Sequence, residues 1–351
     1  GFNVGSTKAR TSWTGDVNRF YFESPLVRLM RDYGYRDVYV DGDDLIQAEQ
    51  NTEAVPYSSI VIYRYYDTVS QDFGNAQGGS PIEQFAQGLS SLIERLRDRV
   101  CANPDNKVTP AAFRVHLVAH SMGGLICRAF LQKPQNDPKN VRGCVDKVFT
   151  YATPHNGIDL KIVRNVPSWV TFGDASDFNR DKMAGFFGLA PDPNDEFYAA
   201  RVTNFPAERI FNLVGTDSRD YAVLSGLSSW AVGEASDGLV RIQNATTFSR
   251  EKDNAGSAVE VQSPRAFVNR SHSGYYGIVN SEEGYQNLTR FLFGSVRADG
   301  VLDIDDISLP PDIEAARLAG KDVRASYQFE MAVSVRGAQW QVTRRPAREY
   351  S

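Results

Sequence analysis

The sequence predicts an α/β fold, a mostly parallel central sheet covered by helices on both faces, and three observations predict it. Short β-branched or aromatic runs alternate with stretches whose apolar residues recur at helical spacing. One such pair, Phe113–Val118 and then Leu125–Leu131, is joined by a tight turn centred on a serine. The run Asp146–Tyr151 reads as a strand buried on both faces rather than one with a polar side.

Taken in order, Ser24-Pro25 through Tyr33-Gly34 reads as a short helix with a capping serine, proline at its first position and glycine after its end. Asp37–Val40 and Ser59–Tyr65 read as strands. Ser80-Pro81-Ile82-Glu83 is a capping box. It opens a helix whose apolar face is Ile82, Phe85, Ala86, Leu89, Leu92, Ile93, Leu96 and Val100. Residues 158–205 break the alternation, with prolines and glycines among Trp169, Phe172, Phe178, Phe186, Phe187 and Leu189. Arg209–Val214 and Arg265–Val268 read as strands, and Glu282–Phe293 as an amphipathic helix. These elements place one large domain at 1–294. Beyond it, at 295–351, an acidic, proline-bearing linker leads to alternating residues from Tyr327 to Val335. Gly337-Ala338 and Trp340–Val342 then suggest a hairpin return, a small β appendage.

Composition narrows the classes of partner. A chain of 351 residues, 42% hydrophobic and 23% charged, can bury a large core. A net charge of −5 without a basic run argues against nucleic acid. No stretch approaches the roughly 20 apolar residues of a membrane span. The three cysteines, Cys101, Cys127 and Cys144, have no metal-like spacing and allow at most one intrachain pair, so no disulfide framework is expected.

The chemistry concentrates at Ala119-His120-Ser121-Met122-Gly123-Gly124, between the strand and the helix. A serine on a sharp strand-to-helix turn stands exposed at the top of a sheet, and close backbone approach favours small residues two positions to either side, here Ala119 and Gly123. The pentapeptide pattern alone recurs by chance in about one chain in three of this length, so its flanking strand and helix carry the signal. A serine hydroxyl needs a base, most often histidine. Of the four histidines, His116 lies within a strand, His120 adjoins Ser121 and braces the turn, and His155 comes before any acid could. Sites of this strand–turn–helix type run nucleophile, acid, base along the chain, and only His272 leaves room for that order. Two aspartates could serve as the acid: Asp217, directly after a strand, and Asp237, in a tight Ser-Asp-Gly turn. Spacing does not separate them.

Three segments give the chain a family resemblance: Ala119–Gly124, Thr150-Tyr151-Ala152-Thr153-Pro154-His155-Asn156-Gly157, and Ser236-Asp237-Gly238-Leu239-Val240 followed by the His272 loop. Over roughly Gly1–Phe293 the chain resembles the bacterial lipases of the α/β-hydrolase superfamily and the related deacylases that act on GPI-inositol lipids. The resemblance implies an α/β-hydrolase fold and a serine carboxylic-ester hydrolase. Its triad would be Ser121, Asp237 and His272, and it would work without metal or organic cofactor on an ester or lipid substrate. It makes His155 a wall or structural residue. Such lipases often place a cap or lid at about 158–205, where Trp169, Phe172, Phe186 and Phe187 would line an acyl pocket or face a lipid surface; an irregular insertion with its own small core is an equally good reading of the same stretch. His120 and His155 would lie beside the substrate.

Such lipases carry His-Gly-apolar at the end of the strand beside the nucleophile strand. The opening Gly1-Phe2-Asn3 would match from its glycine onward, making the amides of Phe2 and Met122 the two oxyanion donors. The opening shows neither an initiator methionine nor a signal-peptide pattern, and the missing histidine and strand lead to the expectation that residues precede Gly1. The compartment stays open, with cytoplasmic preferred to secreted. Two alternatives share the elbow: an acyltransferase using the same triad, and a non-catalytic binding module on the same fold.

Overall fold

In the computed structural model the described residues are 8–11, 17–20, 24–40, 43–44, 55–63, 81–158, 179–217, 237, 240–252, 254, 256–272, 277–295, 303, 305–306, 308–321, 332–334 and 341–344. The chain divides into two compact units, Gly1–Ser295 and Val296–Ser351.

The first unit begins with an antiparallel pair, β1 (Lys8–Thr11) and β2 (Val17–Phe20), and helix α1 (Ser24–Tyr33). Gly34 closes α1 at φ +68°, a left-handed turn that glycine adopts without steric cost. The short strands β3 (Arg36–Asp37), β4 (Tyr39–Val40), β5 (Asp43–Asp44) and β6 (Ser59–Ile60) follow, with β3 and β6 parallel and β4 and β5 antiparallel. Then come α2 (Pro81–Ala102), β7 (Val115–His120), α3 (Met122–Gln132), β8 (Val145–Tyr151), α4 (Arg180–Phe186) and β9 (Ile210–Gly215). A hairpin of β10 (Phe248–Lys252) and β11 (Ala258–Gln262), then β12 (Arg265–Val268) and α5 (Glu282–Phe293), complete it.

Among the described residues, four strands make the central sheet, in the order β12-β9-β8-β7 and all parallel. Parallel strands need crossovers, and the crossover helices bury both faces. Side chains on β8 and β9 alternate accordingly. Val148, Ile210 and Val214 join the core formed with α2 and α3. Phe149, Tyr151, Phe211 and Leu213 turn to the other face, against α1 and α5. Within α2, Ile82, Phe85, Ala86, Leu89, Leu92, Ile93 and Val100 are buried, the face read from spacing. The α/β architecture is therefore the one predicted, a mostly parallel sheet between flanking helices.

Two elements stand outside the sequence expectations. The hairpin β10–β11 is exposed over most of its length. In the second unit, helix α6 (Pro311–Leu318) follows the acidic stretch and has no buried residue. The same unit holds the antiparallel pair β13 (Ala332–Ser334) and β14 (Gln341–Arg344), with a register shift at Val333/Ser334.

Candidate active site

The loops after three strands of the parallel sheet meet at its carboxyl ends, where α/β sheets place their ligands. Ser121 follows β7, Asp237 comes in the segment after β9, and His272 follows β12. Ser121 has φ 54° and ψ −124°, a strained conformation for a residue with a side chain. Its amide donates to the carbonyl of Tyr151 at 2.9 Å, tying the turn to the end of β8. Ala119 and Gly123 flank it at the two positions where bulk would clash.

Ser121 Oγ lies 3.0 Å from His272 Nε2, and His272 Nδ1 lies 2.9 Å from Asp237 Oδ2. A carboxylate can only accept, so Nδ1 carries the proton and Nε2 is left to accept from the serine hydroxyl. The other carboxylate oxygen of Asp237 accepts the Val240 amide at 2.7 Å. The His272 amide donates to the Asp237 carbonyl at 3.0 Å. All three side chains are buried, Ser121 at 6%, Asp237 at 1% and His272 at 2% exposure, so these bonds compete with little water.

Neighbouring backbone makes room for this run. A Cβ placed on Gly215, at the end of β9, would sit 2.8 Å from Asp237 Cβ, so only glycine lets the aspartate approach the strand end. Asp217, two residues further on, is also buried, with its amide on the carbonyl of Arg270. The carboxyl that meets His272 is that of Asp237.

The remaining sequence candidates fall as follows. His120, the last residue of β7, places Nε2 2.9 Å from the carbonyl of His272, with the two rings 4.8 Å apart. It braces the histidine loop. Met122 is the first residue of α3 and is buried, so its amide opens the helix beside Ser121. His155 is fully buried, with Nε2 3.2 Å from Thr150 Oγ1. Burial, and then the Arg128 charge, hold its imidazole well below the usual pKa. Phe186 and Phe187 pack into the core on the α2–α3 face, and Phe187 lies under the Arg128 guanidinium at 4.0 Å, so neither faces a lipid surface. Phe2, Trp169 and Phe172 lie outside the described residues.

One participant is harder to read from sequence. Arg128, midway along α3, is completely buried. It donates to Gln132 Oε1 at 2.8 Å and to the carbonyls of His155, Ala199 and Arg201, each at 3.0 Å. Burial pushes its pKa down to about 9. The arginine thus ties α3 to the loop after β8 and to the chain near residue 200. A lone charge in the apolar run Leu125–Leu131 is the signal that marks it.

Comparison with known proteins adds to this geometry. Residues 4–167 match the family model described as the PGAP1-like alpha/beta domain. The superfamily resemblance carried by the Ser121 and Thr150–Gly157 segments agrees with that match. No curated protein matches the chain. Among solved structures, a gene product of Listeria innocua aligns over 79% of this chain and 90% of its own, at 12% identity and a TM-score of 0.40. Phospholipase PlaB from Legionella pneumophila aligns over 74% and 57%, at 15% identity and a TM-score of 0.38. The mature Bacillus licheniformis lipase BlEst2 aligns over 65% and 82%, at 17% identity and a TM-score of 0.34. Among the described residues, no helix is long and apolar enough to cross a membrane.

Proposed function

We propose that the protein is a serine carboxylic-ester hydrolase, lipase- or esterase-like, working through an acyl-enzyme. One observation carries the reading: the unbroken run from Ser121 Oγ through the His272 imidazole to the Asp237 carboxylate, at 3.0 and 2.9 Å, on a strained strand-to-helix turn. Each residue then has one role. His272 Nε2 takes the proton as Ser121 Oγ attacks the ester carbonyl carbon. The oxyanion that forms is held by the Met122 amide, with the Phe2 amide as the second donor. One such donor is worth about 3 kcal/mol in the transition state. Asp237 holds the imidazole in the productive tautomer and stabilises its charged form. Collapse expels the alcohol, which receives the proton from His272, and leaves the acyl group on Ser121. Water then attacks the acyl carbon with His272 again as base, and the carboxylic acid departs.

The buried polar surroundings support a preorganised site, because fixed dipoles need no reorganisation as charge develops. Residues 295–351 are proposed as a linker and separate appendage. Hydrolysis of p-nitrophenyl esters of increasing chain length tests the reading. Turnover that disappears in Ser121→Ala supports it. A wild type inactive across the series contradicts it, and product formed only with an added alcohol acceptor points to the transferase instead.

A further inference from the structure

The peptide group that joins Ser121 to Met122 is gripped from behind. Its carbonyl oxygen accepts the Thr153 hydroxyl at 3.0 Å and the Gly124 amide at 3.1 Å. A trans peptide is planar, with its C=O and N–H on opposite sides, and no cis peptide bond occurs among the described residues. Whatever fixes the direction of the Ser121 carbonyl therefore fixes the direction of the Met122 N–H, pointing the other way.

Thr153 is itself held firmly. It is 1% exposed and follows Ala152, whose φ of 47° turns the chain sharply back after β8. The amide of Ala152 is tied to the carbonyl of Leu213 at 2.9 Å, and the carbonyl of His155, two residues on, is held by Arg128 at 3.0 Å. Gly124 leaves the space that Thr153 fills. A Cβ built on Gly124 would fall 2.7 Å from Thr153 Cγ2 and 2.9 Å from its Cβ, and would overlap the hydroxyl itself. The second glycine of Ser121-Met122-Gly123-Gly124 and the threonine of Ala152-Thr153-Pro154 thus form one fitted contact between segments some 30 residues apart.

Resting on the ester-hydrolase reading above, we infer that Thr153 is a positioning residue for the oxyanion. Its hydroxyl sets the plane of the Ser121–Met122 peptide and thereby aims the Met122 amide at the charge that forms on the substrate. Two physical effects follow. Hydrogen bonds weaken steeply with angle, so a freed peptide that rocks loses part of its strength as a donor. A carbonyl that accepts two hydrogen bonds also polarises its own N–H, which makes that group a better donor. A residue that merely filled the space would be replaced without loss by valine, which has the same shape.

The test uses the whole chain and three variants: Thr153→Val, Thr153→Ser and Thr153→Cys. Thr153→Val is expected to lower kcat on a p-nitrophenyl ester about 10- to 100-fold, less than the loss on removing an oxyanion donor outright, with KM changed less than about 2-fold. Inhibition by a trifluoromethyl ketone, whose adduct places a charged oxygen in the same position, should weaken by a similar factor. Thr153→Ser keeps the hydroxyl and should stay within about 3-fold of wild type. If Thr153→Val does not fold, Thr153→Cys, of similar size and a much weaker donor, is read in its place. Wild-type kcat and inhibitor affinity in the valine variant, or a serine variant as slow as the valine one, overturns the inference alone. A wild type without ester turnover overturns the hydrolase reading and this inference with it.

Discussion

The two faces of the central sheet differ in what accompanies their apolar cores. On the α1–α5 side the core is aromatic. Phe149 stacks on Phe211 at 4.9 Å and nearly parallel, Tyr151 meets Phe149 edge-on at 4.8 Å, and Phe291 closes on Phe211 at 5.2 Å. On the α2–α3 side the same strands carry a buried polar belt. Thr150 Oγ1 lies 3.1 Å from Asn212 Oδ1, Asn212 Nδ2 donates to Thr247 Oγ1 at 2.9 Å, and Thr247 donates to Ser263 Oγ at 2.7 Å. His155 and Arg128 extend the belt to the loop after β8. Apolar burial has no direction and tolerates repacking, whereas a hydrogen-bonded belt holds its members in one arrangement. The directional face adjoins the loop that carries Thr153 to the back of the elbow. In this sheet both sides bury apolar residues, and the α2–α3 side adds a hydrogen-bonded belt that fixes orientation.

That contrast can be broken at graded strength. His272→Ala removes the proposed base and should lower kcat on the order of 10⁴- to 10⁶-fold, read by steady-state ester hydrolysis, with the circular-dichroism spectrum unchanged. Phe149→Ala, on the aromatic face, should lose about 3–5 kcal/mol in urea unfolding. Its kcat, measured where the variant is still folded, should stay within about 2-fold of wild type. Arg128→Met strips one donor from four acceptors. It should cost on the order of 2–3 kcal/mol of stability and, unlike Phe149→Ala, should lower kcat in the folded protein as well. If both variants lose stability alone, the two faces do not differ in kind.

The smallest effect is a pH dependence. His155 is buried neutral, its pKa well below the usual 6.5 because burial disfavours the imidazolium. Below pH 6.5 the unfolded chain binds a proton that the native chain does not, so this histidine's contribution is present above that pH and lost as pH falls. His116 on β7, also shifted down by burial, adds a second decline of the same sign. Urea unfolding between pH 4.5 and 7.5 should therefore show a shallower slope in His155→Asn than in wild type, and equal slopes would remove His155 from the account.

Much of the sheet and the elbow was legible because their signals are local. α1, α2, β8, β9, β12 and α5 each carry capping residues or an apolar period within a few turns of chain, and the elbow needs only a strand, a serine between small residues, and a helix. Asp217 and Asp237 could not be separated by spacing, because the choice depends on Gly215 admitting Asp237 to the strand end, a contact across more than 20 residues. The hairpin β10–β11 escapes any reading by hydrophobic alternation because Arg250, Glu251 and Lys252 face solvent, as do Ala258, Val259 and Glu260. Helix α6 escapes it for the same reason, having no buried face. Phe186 and Phe187 show the converse difficulty. Aromatic residues in an irregular stretch suit a pocket wall and a core equally well, and only packing against Arg128 and the α2–α3 core distinguishes the two.

The most direct measurement on the central claim is labelling with a fluorophosphonate, which reacts with a serine only when a neighbouring base activates it. Digestion and mass spectrometry then locate the adduct. The account predicts one adduct, on Ser121, absent from Ser121→Ala and strongly slowed in His272→Ala. A wild type that takes no label, or takes it on another serine, would contradict the assignment of Ser121, His272 and Asp237 as one catalytic unit.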